Sequence, residues 1–177
     1  MRDRAQLRRA EKPDVACTLA RAEVPSPALN RFLYASVGGA WHWQDRLPWT
    51  WAQWLQWLDT PDVQTWVLSV RGTPAGYCEL QKQNGGDVEI AYFGLMPQFT
   101  GQGLGRYLLS ETIERAWDMD AQRVWVHTCS LDHAAARSNY EARGMAQYKE
   151  VTVLKEVAEI PPGPWPGASA PHPDPRT

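Results

Sequence analysis

Pro97-Gln98-Phe99-Thr100-Gly101-Gln102-Gly103-Leu104-Gly105-Arg106 is the stretch on which the reading of this chain turns. It follows a strand-like run, Asp87 to Met96, and opens a helical one in which Leu104, Tyr107, Leu108, Ile113, Ala116 and Trp117 share a face. Three alternate glycines at a helix start let the backbone approach a ligand, and the unpaired amides of the first turn point at it. With the helix dipole added, the result is an anion site, most often one for phosphate. A dinucleotide loop needs G-x-G-x-x-G, and Arg106 stands where its last glycine belongs. A nucleoside triphosphate loop needs G-K-[ST], which Gly105-Arg106-Tyr107 does not supply. A merely flexible glycine-rich turn is the plain alternative.

Outward from this loop the pattern alternates between two periods. Thr65 to Val70 and Ala75 to Gln81 read as strands on either side of Arg71-Gly72-Thr73-Pro74, and Asn84-Gly85-Gly86 turns the chain into Asp87 to Met96. These three form an antiparallel meander. Before them lie a strand over Asp14 to Glu23, a helix over Pro27 to Val37 closed by Gly38-Gly39, and a short helix carrying Trp51, Trp54, Leu55 and Leu58, with Thr50 as its N-cap. After them come a strand over Arg123 to Cys129, a helix from an Asp132 cap through Glu141, and a last strand over Met145 to Glu156. This order predicts an α/β chain of the α+β type: a mixed, mostly antiparallel sheet of about six to seven strands with about four flanking helices. We divide it into a basic, solvated arm (1–13), one domain (14–158) and a tail (159–177) whose seven prolines mark it as disordered.

Thr100-Gly101-Gln102-Gly103-Leu104-Gly105 resembles the acetyl-CoA loop of the GNAT superfamily of N-acetyltransferases, with Thr100 where that family usually has Gln or Arg. Leu131 to Met145, which includes Asn139-Tyr140-Glu141-Ala142-Arg143-Gly144-Met145, is similar to a second motif of the family, with His133 in place of its usual Asn. The two lie in the family's order, and the likeness spans roughly Val15 to Glu156. It implies that Thr100, Gly101, Gln102, Gly103, Leu104, Gly105, Arg106 and Asn139 hold acetyl-CoA as co-substrate. The backbone around Gly94, Leu95 and Met96 would then pair with its pantetheine arm and polarise the thioester carbonyl. Tyr140 matches the tyrosine that protonates the departing thiolate, and a packed core tyrosine is its bland counterpart.

An amine nucleophile must lose a proton, and Glu89 is the candidate base. Alternation puts it on a strand face with Ala91 and Phe93, where burial would raise its basicity, and its strand resembles the base-bearing strand of histone-type members. A solvated glutamate is the competing reading. His127 could serve as base or in a water chain, or simply be packed. His42, His133 and His172 have no chelating spacing, so no metal is expected.

Six of the ten tryptophans fall between Trp41 and Trp57. Trp51 and Trp54 read as core on the sheet. Trp41, Trp43 and Trp49, around Asp45 and Arg46, fit either an acceptor site for a cationic or aromatic amine or a homodimer surface. An extended Trp-x-Trp would expose both rings on one side.

With 18 Lys+Arg against 20 Asp+Glu, the net charge of −2 argues against nucleic acid as a partner. No apolar run is long enough to span a membrane, no secretory apolar stretch follows the basic start, and three scattered cysteines suit a reducing compartment, so the chain is expected to be cytoplasmic. The resemblance implies direct transfer of acetyl from acetyl-CoA to a primary amine of a small molecule or protein. The alternative is a non-catalytic module of the same fold that binds an acyl-CoA or a partner through its tryptophan surface. A sugar-binding aromatic platform would leave the glycine loop idle.

Overall fold

Alternating residues between Val63 and Leu95 fold into the meander that organises the molecule, here in a computed structural model that describes residues 1–154, 156 and 163. Its strands are β2 (Val63–Val70), β3 (Thr73–Lys82) and β4 (Asp87–Leu95). The first hairpin turns on two residues, Arg71 and Gly72, both at positive φ, which matches the twist of the flanking strands. Pro74, expected in the turn, lies inside β3 next to an irregularity in its pairing with β2. β1 (Cys17–Arg21) adds antiparallel to β2, and β5 (Arg123–Trp125) adds parallel to β4. The order is β1-β2-β3-β4-β5, a mixed and mostly antiparallel sheet.

The helices are α1 (Pro27–Gly38), α2 (Trp51–Leu58), α3 (Leu104–Trp117) and α4 (Ala136–Ala142). Cross-strand partners show which face each covers. Trp66, Cys78 and Phe93 oppose one another and face α3, where Arg115 lies over the Trp66 ring. Thr65, Glu79 and Tyr92, one position along, face α1, which meets them through Asn30 and Tyr34. Leu109, Ile113 and Ala116 pack on Leu80, Val88, Ile90 and Val124 to form the α3-side core.

Five strands are present among the described residues, two short of the upper expectation. Residues 145–154 form no strand, and Tyr148, Val151, Val153 and Leu154 are exposed. The outer edge of β5 is already taken: the Met1 ammonium donates to the Val124 carbonyl (2.8 Å), and the Val124 amide donates to the Met1 carbonyl (2.9 Å). The arm expected to be solvated is docked. Asp3 caps a 3-10 turn at Arg4–Gln6, Arg9 pairs with Glu111 (2.8 Å) and Glu114 (2.6 Å), and Arg4 pairs with Glu114 and Asp118. The tail at 159–177 lies outside the described residues except for Gly163, whose amide donates to the Gly39 carbonyl.

Three local expectations change. Asp132 caps no helix: its carboxylate accepts from the Thr128 hydroxyl and the Cys129 amide, and α4 starts at Ala136. Trp51 is 65% exposed while Trp54 is buried, because α2 turns Trp54 and Leu58 inward and leaves its first residue outside. The stretch from Trp41 to Trp43 is not extended, because His42 adopts a left-handed conformation (φ 57°), and the two rings meet different neighbours, Trp41 on His133 and Trp43 on Tyr34 and Tyr92.

The connector between α1 and α2 is anchored by a buried ion pair. Arg46 Nη1 donates to Glu79 Oε1 at 2.6 Å, with both side chains almost fully buried. Trp57 Nε1 donates to the same oxygen (2.8 Å) and Asn30 Nδ2 to the other (3.2 Å). The guanidinium lies 4.2 Å from the Trp57 ring, 4.4 Å from Tyr92 and 4.7 Å from Trp49. Removing one partner strands the other charge, so Arg46→Met is expected to destabilise the fold by about 3–5 kcal/mol in urea unfolding. A loss below about 1 kcal/mol would show that the pair does not hold the connector.

Candidate active site

The glycine loop runs off the end of β4 through a 3-10 turn at Pro97–Phe99. Thr100 Oγ1 donates to the Pro97 carbonyl (2.8 Å) and Gln102 Nε2 to the Gln98 carbonyl (3.0 Å), so both side chains brace the loop itself. Gly103 is the N-cap of α3, left-handed at φ 76° and without a side-chain cap. Among the described residues, the amides of residues 101–106 meet no acceptor. Their fit to a phosphate is therefore good: a row of free donors at the positive end of a fourteen-residue helix. Arg106 is exposed and folds its guanidinium back towards Gly103. Leu104 is buried in the core, and Gly105 approaches Leu95.

Beside this loop β4 has a bare edge. β4 and β5 pair only over Asp87–Arg123, Val88–Val124 and Glu89–Trp125; beyond Glu89, no strand among the described residues lies against β4 on that side. Met96 keeps the other edge closed by donating its amide to the Ala75 carbonyl. Asn139 Nδ2 donates to the Gly105 carbonyl at the long distance of 3.4 Å, tying α4 to α3.

A bulge in β4 decides which side chains face this opening. Glu79 pairs with Tyr92 and Leu80 with Ile90, so Ala91 is the extra residue. Strict alternation would place Glu89 with Ala91 and Phe93; past the bulge, Glu89 instead shares the α1/α2 face with Tyr92. Phe93 turns to the α3 face, where its ring meets Tyr140 (centroids 6.2 Å apart). Glu89 and Tyr140 thus lie on opposite sides of β4. Burial, with Asp132 adding to it, pushes the Tyr140 phenol well above its usual range, so it keeps its proton at neutral pH.

Glu89 is nearly buried. Its Oε2 accepts from Gln83 Nε2 (2.8 Å), and its Oε1 meets His127 Nδ1 (3.1 Å). The hydrogen bond to Glu89 raises the His127 pKa above 6.5 despite some desolvation. Of the proposed acceptor residues, Trp41 meets His133 (5.1 Å), whereas Trp43 and Trp49 are packed with Tyr34, Tyr92, Trp54 and Trp57. Asp45 is exposed, and its charge reaches His127. Sequence reasoning missed Glu79 as the buried partner of Arg46. The signal was there: a lone carboxylate between Tyr77-Cys78 and Leu80, and a lone cation among tryptophans. An open cavity of about 250 Å³ near Arg21, Asn30, Asp59 and Thr65 shares no residue with the loop or with β4.

The profile of the Acetyltransferase (GNAT) family matches residues 28–145, more than half of the chain. The chain belongs to the GNAT acetyltransferase family. Solved structures of GNAT acetyltransferases share the fold. An aminoglycoside acetyltransferase from an uncultured soil metagenomic sample, crystallised with trehalose, is 12% identical, with 80% of this chain and 97% of that one covered at a TM-score of 0.64. A ribosomal-protein-alanine N-acetyltransferase from Brucella melitensis biovar Abortus 2308 is 14% identical (80% and 100% covered, TM-score 0.59). The ribosomal-protein-S18-alanine N-acetyltransferase of Escherichia coli is 18% identical (76% and 80% covered, TM-score 0.57). No curated protein sequence matches the chain. As a GNAT protein it is an N-acetyltransferase by family, and among its described residues no helix is long and apolar enough to cross a membrane.

Gly103→Ala tests the loop geometry. A methyl group at φ 76° is strained and would sit 3.2 Å from the Arg106 guanidinium. The expected loss is about 1–2 kcal/mol in urea unfolding. An unchanged midpoint would mean that the left-handed N-cap is not required.

Proposed function

We propose that this GNAT protein transfers the acetyl group of acetyl-CoA directly to a primary amine. The observation that carries this reading is the bare edge of β4 alongside the free amides of residues 101–106. The β4 backbone up to Leu95 takes the pantetheine arm, without Met96, whose amide is bonded to Ala75 and whose carbonyl accepts from Phe99, and the loop amides, with Arg106 at their rim, take the pyrophosphate. Acetyl-CoA supplies an activated acyl carbon. As the amine forms its bond to that carbon and the C–S bond breaks, Tyr140 gives its proton to the sulfur. Glu89 takes the proton that the amine must lose.

Two features favour direct transfer. Tyr140 and Glu89 flank β4 from opposite faces, so donor and acceptor can approach from separate sides and meet at the opening. The cysteines offer no good covalent relay: Cys17 and Cys78 are buried, with burial pushing the Cys78 thiol up to about 12, and exposed Cys129 meets Asp132 through its backbone amide. The acceptor we infer is a cationic amine, on a small molecule or a protein, admitted past Asp45, Trp41 and the outer rims of Trp43 and Trp49. The acetyltransferase relatives named for aminoglycosides and for ribosomal-protein alanine span that range. Free thiols and the absence of a basic excess fit a cytoplasmic enzyme with no nucleic-acid partner.

Acetyl-CoA at 100 times its dissociation constant should stabilise the fold by about 2.7 kcal/mol, visible as a raised melting temperature that NADH and ATP do not reproduce. No shift would sink the donor assignment. Tyr140→Phe should bind acetyl-CoA as well as the parent while turnover falls by about 10²–10⁴-fold. Full turnover in that variant would remove Tyr140 from its role.

A further inference from the structure

Glu89 and His127 stand where β4 and β5 part. Glu89 belongs to the last residue pair between the two strands, and His127 lies two residues past the end of β5. The carboxylate is clamped from both sides. Gln83 donates to Oε2 and is itself held by Trp125, whose Nε1 donates to Gln83 Oε1 (3.2 Å), while His127 Nδ1 holds Oε1. The Glu89 side chain is only 12% exposed, yet the His127 side chain is 72% exposed, so a nearly buried carboxylate communicates with solvent through one imidazole.

We propose that His127 is the positioning residue for Glu89: it fixes the carboxylate at the mouth of the β4–β5 opening and, by holding or releasing its own proton, sets the pH at which Glu89 becomes an effective base. The inference rests on the assignment of Glu89 as base. While the imidazolium is intact, Nδ1–H donates to Oε1 and its positive charge opposes the approach of an ammonium group to that oxygen. Loss of that proton to water through the exposed ring removes the opposing charge. The acceptor's ammonium N–H bond then breaks, a Glu89 O–H bond forms, and the nitrogen keeps its lone pair for attack; the carboxylic acid afterwards returns the proton to solvent. The groups facing His127 come from three elements: Glu89 on β4, Asp132 ahead of α4 and Asp45 in the α1–α2 connector. All three are carboxylates, so all favour the imidazolium. The threshold therefore lies above the usual histidine range.

The test combines two readouts on the full chain. First, imidazole NMR of the free protein should show one histidine titrating above 6.5, and that resonance should vanish in His127→Gln and move down in Glu89→Gln. Second, kcat/KM for acetyl transfer to a primary amine should rise through the same pH in the parent. In His127→Gln, whose amide can still donate to Oε1, the acid limb should move down by about one pH unit. A pH profile in His127→Gln that overlays the parent's overturns the proposal, as does a His127 that titrates at the ordinary value. Absence of any acetyl transfer by the parent would instead sink the functional reading, since the NMR titration needs no substrate.

Discussion

The contact between Arg46 and Glu79 is the constraint on which the donor and acceptor sides of the sheet both depend. Glu79 sits in the middle of β3, where an unpaired carboxylate would be untenable, and Arg46 comes from a connector with no strand or α-helix of its own. Their union draws in α1 through Asn30 and Tyr34, α2 through Trp57, and β4 through Tyr92. A buried pair of this kind adds little net stability over an apolar one, but it tolerates only one arrangement of its neighbours. A planar guanidinium stacked among rings while bonded to a carboxylate is not a shape that lysine can copy. Of the tryptophans that looked like an exposed surface, Trp49 lines this contact, Trp43 packs on Tyr34 and Tyr92, and Trp41 meets His133.

From that fixed platform one inserted residue shapes the site. The bulge at Ala91 turns Glu89 and Tyr92 to one face and Phe93 to the other, and the early end of β5 leaves the following stretch of β4 without a paired strand on that side among the described residues. A regular, fully paired strand would carry the same side chains but would offer no gap and would group them differently. The irregularity and the opening are adjacent because both release β4 from the register that its neighbours impose.

Much of this was legible in the sequence, and the failures have specific causes. The helical periods, the Thr50 cap and the glycine loop follow from local rules, so α1, α2 and α3 fall where periodicity puts them. Strand alternation predicted the meander but not the bulge, because nothing in Glu89-Ile90-Ala91-Tyr92 marks where an extra residue will be absorbed. Met145 to Glu156 has a good strand pattern, yet Met1 occupies the edge at Val124, and competition for an edge between residues more than a hundred positions apart leaves no local trace. Asp132 is a fair cap by composition, but it serves Thr128 and Cys129 instead. Neither the Arg46–Glu79 pair nor the Glu89–His127 pair can be read from spacing, because each joins segments that meet only once the sheet has formed.

The aromatic lining of the Arg46 pocket also gives the molecule a built-in optical signature. Trp49, Trp54 and Trp57 have ring centroids 5.2 and 6.1 Å apart along the chain of contacts, tilted edge to face and pressed on a fixed cation. Indoles at such spacing exchange excitation and couple their electronic transitions, and a nearby full charge shifts their emission. Near-ultraviolet circular dichroism and emission colour will therefore carry a contribution from this corner of the protein. Light will report the order of the α1–α2 connector far more strongly than that of the glycine loop, which has no indole of its own.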